Sequence, residues 1–384
     1  MPTDHLSSTD LASRLLGGSV IAASDESFGE KENLLVPTAA DFTPGTYGHK
    51  GEIVDGWETR RRRTPGHDWA LIRLGAPGVI YSIDVDTSFF TGNYPPECRI
   101  EACGVEGYPS PEELAAPGVA WEEIVPRSPL KGDSHNEFTV TARTRFTHLR
   151  LSIYPDGGVA RLRVQGQAVP DPRRFYGLTP DLAARELGGV VEASSDTFYS
   201  SAEVLNQPGL ARHMGDGWET QRRRGPGNDW AVIRLAAPGR LRQVEVDTSY
   251  YKYNASNECA LYGANSETTP EPDSPTWFPL LPKTRLQPDT RHYFDLSGTE
   301  EVTHLRLDVF PDGGISRLRV LGSVGVAARR ALALRWFNSL PSDQAQAVLT
   351  TAGTAEDAAT AITGRRPLNE NDAALTEIPA LFGE

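Results

Sequence analysis

Alternating apolar and polar positions dominate this chain. In Ile80-Tyr81-Ser82-Ile83-Asp84-Val85-Asp86, residues Tyr81, Ile83 and Val85 fall on one face and Ser82, Asp84 and Asp86 on the other. That two-residue period belongs to a half-buried β-strand. Leu149, Leu151 and Ile153 alternate in the same way with Arg150, Ser152 and Tyr154, and Arg161-Leu162-Arg163-Val164 continues the pattern. Pro155-Asp156-Gly157-Gly158, Ala76-Pro77-Gly78 and Ala237-Pro238-Gly239 carry the turn chemistry expected between such runs. Short strands, Gly/Pro turns and few helical periodicities predict an all-β chain of antiparallel sandwiches. The half-exposed alternation excludes the continuously apolar strands of a parallel α/β sheet. Only the segment after Gly325 differs. It is rich in alanine, and residues 327–337 and 343–351 read as helices, with Ser342 as an N-cap ahead of Gln344 and Gln346.

The strand pattern occurs twice. Asp55-Gly56-Trp57-Glu58-Thr59-Arg60-Arg61-Arg62-Arg63 returns as Asp216-Gly217-Trp218-Glu219-Thr220-Gln221-Arg222-Arg223-Arg224, an offset of 216 − 55 = 161. At that offset Gly66-His67-Asp68-Trp69 answers Gly227-Asn228-Asp229-Trp230, Asp86-Thr87-Ser88 answers Asp247-Thr248-Ser249, and Asn93 answers Asn254. Pro155-Asp156-Gly157-Gly158 has its copy at Pro311-Asp312-Gly313-Gly314. A repeat of this length fits a whole domain and not a solenoid unit. The expected division is a first repeat over 1–169, a second over 170–325, and a helical extension over 326–384, with a linker around 169–174 carrying Pro170 and Pro172. Ser24-Asp25 pairs with Ser195-Asp196 at an offset of 171, so the first repeat holds 171 − 161 = 10 extra residues within 32–54. The most faithful matches are polar and charged, which core packing alone does not require.

Composition narrows the partner. A formal charge of −13 argues against nucleic acid, and the arginine clusters on that acidic background point to a small anion. Cys98, Cys103 and Cys259 are sparse and lack paired spacing, which implies a reducing compartment and neither a disulfide frame nor a thiolate metal site. The start of the chain lacks the basic flank of a secretory signal, and no apolar run approaches the ~20 residues that span a bilayer. A cytoplasmic protein without membrane contact is expected.

These residues together resemble the allantoicase family. The resemblance rests on Ser24-Asp25, Lys31-Glu32-Asn33-Leu34-Leu35, Asp55-Gly56-Trp57-Glu58-Thr59 with its four arginines, Gly66-His67-Asp68-Trp69, and Asp86-Thr87-Ser88 with Gly92-Asn93. It implies two tandem jelly-roll β-sandwiches of the galactose-binding-like type and hydrolysis of allantoate to ureidoglycolate and urea. It also implies a homo-oligomer. The C-terminal segment (Arg335-Trp336-Phe337-Asn338, Arg365-Arg366-Pro367) weakly resembles the start of a ureidoimidazoline decarboxylase, too briefly to carry a second activity.

Allantoate presents one carboxylate and two ureido groups on one carbon. A guanidinium fork grips a carboxylate through two parallel bonds, and Arg60, Arg61, Arg62, Arg222 and Arg223 supply that chemistry. If the loop is extended, Arg61 and Arg63 share one face and Arg60 and Arg62 the other. Expulsion of urea needs a proton donor, for which Glu58, His67, Asp68, Asp86 and Glu219 are the candidates. His67 titrates near neutral pH whereas its counterpart Asn228 cannot, so the repeats are expected to differ chemically. Asp55, Asp216, Trp57 and Asn93 complete the expected binding set, although Asp55-Gly56 and Asp216-Gly217 are also turn formers. No metal-ligand spacing or nucleotide fingerprint occurs, so no metal or cofactor is expected. The competing reading is a non-catalytic tandem carbohydrate- or small-anion-binding module, with Tyr250, Tyr251 and Tyr253 or Phe89 and Phe90 as an aromatic platform.

Overall fold

The computed structural model describes residues 8–372, which form two compact units. One contains Thr9–Val169 with Ser339–Ala345, and the other contains Pro170–Asn338 with the described residues from Gln346 onward.

The first unit is a β-sandwich of β1 (Ser19–Ala23), β2 (Asp68–Asp86), β3 (Glu97–Cys103), β4 (Glu122–Pro129), β5 (His135–Thr139), β6 (Arg145–Tyr154) and β7 (Arg161–Ala168). All these pairings are antiparallel, and the long β2 serves both layers. Up to Arg73 it pairs with β1 and β6; from Gly78 it pairs with β7, and from Ser82 with β5. The outer part of the first layer runs from β6 to β3 to β4. Ala76-Pro77-Gly78 is therefore a corner inside one strand and not the turn expected from sequence. Pro77 has no N–H for the ladder, its carbonyl instead accepts from Val169 (2.9 Å), and a Cβ on Gly78 would overlap the Gln167 carbonyl.

The predicted inward face holds for Ile83, Val85, Leu149, Leu151 and Ile153, all fully buried. Tyr81 departs from it. The register between β2 and β7 slips between Gln165 and Gly166, so Ile80 turns inward while Tyr81 turns outward and bonds Gln167. A β-bulge of this kind reverses the alternation for one residue.

The second unit repeats the plan with β8 (Val190–Ser194), β9 (Asp229–Asp247), β10 (Glu258–Ala264), β11 (Phe278–Arg285), β12 (Arg291–Asp295), β13 (Val302–Phe310) and β14 (Arg317–Val324). The long β9 pairs with β8, β12, β13 and β14, and its register breaks between Arg234 and Gly239, so Ala237-Pro238-Gly239 is again a corner. Beyond the strands lie α1 (Val326–Ser339), α2 (Ser342–Thr351) and α3 (Glu356–Gly364), the last within the expected helical extension but outside the two helices named from sequence. Ala328 and Leu332 of α1 join the core of the second unit. No helix of the described residues is long and apolar enough to cross a membrane.

Candidate functional site

The Asp-Gly-Trp-Glu segment is a short hairpin partner at one end of each sandwich. Trp57–Glu58 pairs with Gly158–Val159, and Trp218–Glu219 pairs with Gly314–Ile315. Both tryptophans are completely buried, and their indole N–H groups donate to the carbonyls of Asp25 (2.8 Å) and Asp196 (3.1 Å). Trp57 thus anchors the segment from below, out of reach of a ligand.

Past the hairpin, the arginine loop is laced down by its backbone. Asp25 accepts from the Arg60 N–H (2.9 Å), Gly157 from Thr59 (3.2 Å), and Asp156 from Arg62 (2.8 Å). The second repeat reproduces this with Asp196 to Gln221 (3.0 Å) and Asp312 to Arg223 (2.9 Å). These four aspartates were not candidates from sequence. Their doubled Ser-Asp and Pro-Asp-Gly-Gly contexts were the available signal, and they explain why turn aspartates repeat so faithfully.

Lacing sorts the guanidinium groups. Arg62 reaches the buried Asp68 at 2.6 Å, where Ser24 also donates at 3.0 Å. Arg223 pairs with the buried Asp229, to which Ser195 donates at 3.0 Å. Arg60 contacts Asp25 at 3.2 Å. Arg61, Arg63, Arg222 and Arg224 are exposed, with no ion pair or hydrogen bond from their side chains among the described residues. In the first repeat the arginines border a cleft of about 540 Å³ that also includes Ser24, Asp25, Phe28 and Asp68.

The carboxylates divide as sharply. Glu58 is half-buried and accepts one side-chain bond, from the Asn93 amide at 2.7 Å; burial raises its pKa above the usual glutamate value, with the Asn93 bond opposing. Glu219 and Asn254 make the same pair at 2.6 Å. Asp86 is buried and folded onto Ser88, accepting from its N–H (2.8 Å) and hydroxyl (2.6 Å). Asp55 is held by the buried Arg161 at 2.6 Å and by the Asp41 N–H at 2.9 Å, and Asp216 by Arg212 at 2.8 Å. Asp55 and Asp216 therefore serve loop structure in both repeats.

His67 lies elsewhere. It packs at a tilt against Tyr154, with ring centroids 4.6 Å apart, and lines a separate cleft of about 430 Å³ with Trp69, Trp121, Arg99 and Arg150. Burial lowers its pKa, and the positive charges of Arg99 and Arg62 lower it further. Asn228 instead donates to the Asp229 carbonyl at 3.0 Å. Thus the structure brings Arg60, Arg61, Arg62 and Asp68 together, and joins Glu58 to Asn93 two residues back along the loop, while His67, Asp86, Trp57 and Asp55 stand apart. Among the described residues, one acidic triad (Glu26, Glu30, Glu32) has the spacing to hold a cation, but each of its carboxylates already pairs with Lys31 or Lys50.

Comparison with known proteins agrees with this doubled arrangement. The sequence profile of the allantoicase repeat matches residues 9–169 and again 180–325. A probable allantoicase of Streptomyces coelicolor is 50% identical over 337 residues, covering 85% of this chain and 88% of the relative. One from Nocardia farcinica is 51% identical over 319 residues, covering 82% and 94%. The crystal structure of allantoicase from Saccharomyces cerevisiae superposes with a TM-score of 0.71 at 34% identity, covering 82% of this chain and 93% of that one.

Proposed function

This chain belongs to the allantoicase family, and from that premise we propose that it hydrolyses allantoate to ureidoglycolate and urea at the arginine loop of each repeat. The observation that carries the reading is the pair of free guanidinium groups flanking a locked one, formed twice by the same backbone lacing. Arg61 with Arg63, and Arg222 with Arg224, have unspent fork geometry suited to a carboxylate. Arg62 and Arg223, spent on Asp68 and Asp229, set the direction of their neighbours.

Glu58 and Glu219 act as the proton donors in this reading. Burial raises the pKa of Glu58, which keeps more of it protonated near neutral pH, and the Asn93 amide fixes its orientation. In this reading the substrate carboxylate sits on the free guanidinium forks and one ureido nitrogen sits at the glutamate of the same repeat. The carboxyl proton passes to the departing ureido nitrogen as the bond to the central carbon breaks. The remaining ureido nitrogen supplies electrons to that carbon, and water then adds and returns a proton to the glutamate. We further place the protein in the cytoplasm, as a homo-oligomer.

The test is urea release from allantoate. The unmodified protein should release urea, and the double substitution Glu58→Gln/Glu219→Gln should lower kcat by about a hundredfold or more without loss of fold. Full activity in that variant would remove the glutamates from the mechanism. Absence of urea from the unmodified protein, with carbohydrate binding in its place, would favour the binding-module alternative.

A further inference from the structure

Phe89 and Tyr250 occupy the same place in the two repeats, and both have left-handed backbone, with φ of 69° and 70°. Bulky side chains rarely adopt that conformation, and glycine would adopt it freely. Both repeats enforce it identically: the Phe89 N–H donates to Asp133 at 2.8 Å and the Tyr250 N–H to Asp289 at 2.7 Å. Yet the rings are not core. Each is 44% exposed, and Tyr250 has no ring or side-chain hydrogen-bond partner among the described residues; Phe89 has only Phe42, 6.0 Å away. The following residues do the packing. Phe90 and Tyr251 are buried, Phe90 against Gly56 and Gly158 and Tyr251 against Gly217, directly beneath the hairpin that carries Glu58 or Glu219. The same loop continues to Asn93 or Asn254, which bonds that glutamate.

We propose that Phe89 and Tyr250 are substrate-positioning residues, each laying an aromatic face against a planar ureido group beside Glu58 or Glu219. An exposed aromatic held in a costly backbone state, twice, with its neighbour doing the packing, fits a ligand contact better than a scaffold role. The exchange of Phe for Tyr between repeats means that the ring face is used and not the hydroxyl. This inference rests on the allantoate reading above.

The experiment is steady-state urea release by Phe89→Gly/Tyr250→Gly, with Phe89→Tyr/Tyr250→Phe as the conservative control. The glycine variant should raise KM for allantoate about tenfold or more with a smaller change in kcat, and it should not melt lower than the parent, because the left-handed backbone is released. The aromatic exchange should leave KM unchanged. If the glycine variant does not fold, Phe89→Asn/Tyr250→Asn replaces it, since asparagine tolerates the same conformation. An unchanged KM in an active, folded variant would overturn this inference alone. A parent protein that releases no urea would overturn the underlying reading as well.

Discussion

Arg61 and Arg62 are adjacent, identical in chemistry, and opposite in circumstance. Arg62 has its charge matched by the buried Asp68, while Arg61 meets solvent with no partner among the described residues. Lysine keeps the charge and loses the planar fork, so it separates the two roles. In Arg61→Lys/Arg222→Lys, transition-state binding of allantoate should weaken by about 2–4 kcal/mol, read as kcat/KM, with an unchanged melting temperature. In Arg62→Lys/Arg223→Lys the melting temperature should fall, because Asp68 and Asp229 keep a buried charge with poorer pairing. Equal kinetic losses at unchanged stability for both pairs would show that locking does not distinguish them. The sequence could offer the arginine run as a candidate grip for an anion. It could not say which, because the sorting is done by Asp25, Asp68 and Asp156, which lie up to about a hundred positions away.

At the scale of the loop, the buried Arg161 at the start of β7 ties down the first repeat's insertion. Its guanidinium donates to the carbonyls of Thr38 (2.9 Å), Asn33 (3.2 Å) and Asp55 (2.9 Å) and to the Asp55 carboxylate (2.6 Å). Arg161→Leu would leave those acceptors without their donor, at a cost of about 2–4 kcal/mol. Limited proteolysis should then cut within 36–55 while the strands stay protected; protection of that segment would contradict the assignment. The alternating strands and their doubling were legible because pleat periodicity and turn chemistry are local. The Ala-Pro-Gly corners were misread as turns for the same reason: nothing local distinguishes a strand that ends from one that bends into the second layer. Tyr81 was misplaced because it is itself the extra residue of a bulge on β2, opposite Gln165 and Gly166 of β7. Asp55 was legible as a turn former, and its arginine partner, 106 residues away, was not.

At the scale of the whole chain, duplication poses a question of number. Each repeat holds its own glutamate–asparagine pair, free arginines, laced loop and strained aromatic, and the His67/Asn228 difference falls in another cleft. Two complete sets within one chain should work independently when they share no group. Glu58→Gln and Glu219→Gln, taken singly, should then each retain roughly half of kcat with KM unchanged, whereas the double variant loses nearly all. The Glu219→Gln enzyme also isolates the first repeat for a pH profile. A general acid works while protonated, so its kcat should be highest at low pH and decline as pH rises through the pKa of Glu58, which burial places above the usual glutamate value. The Glu58→Gln enzyme should lack that limb. If either single substitution alone abolishes turnover, the two sets are parts of one catalytic unit, and equality of sequence between the repeats conceals a division of labour.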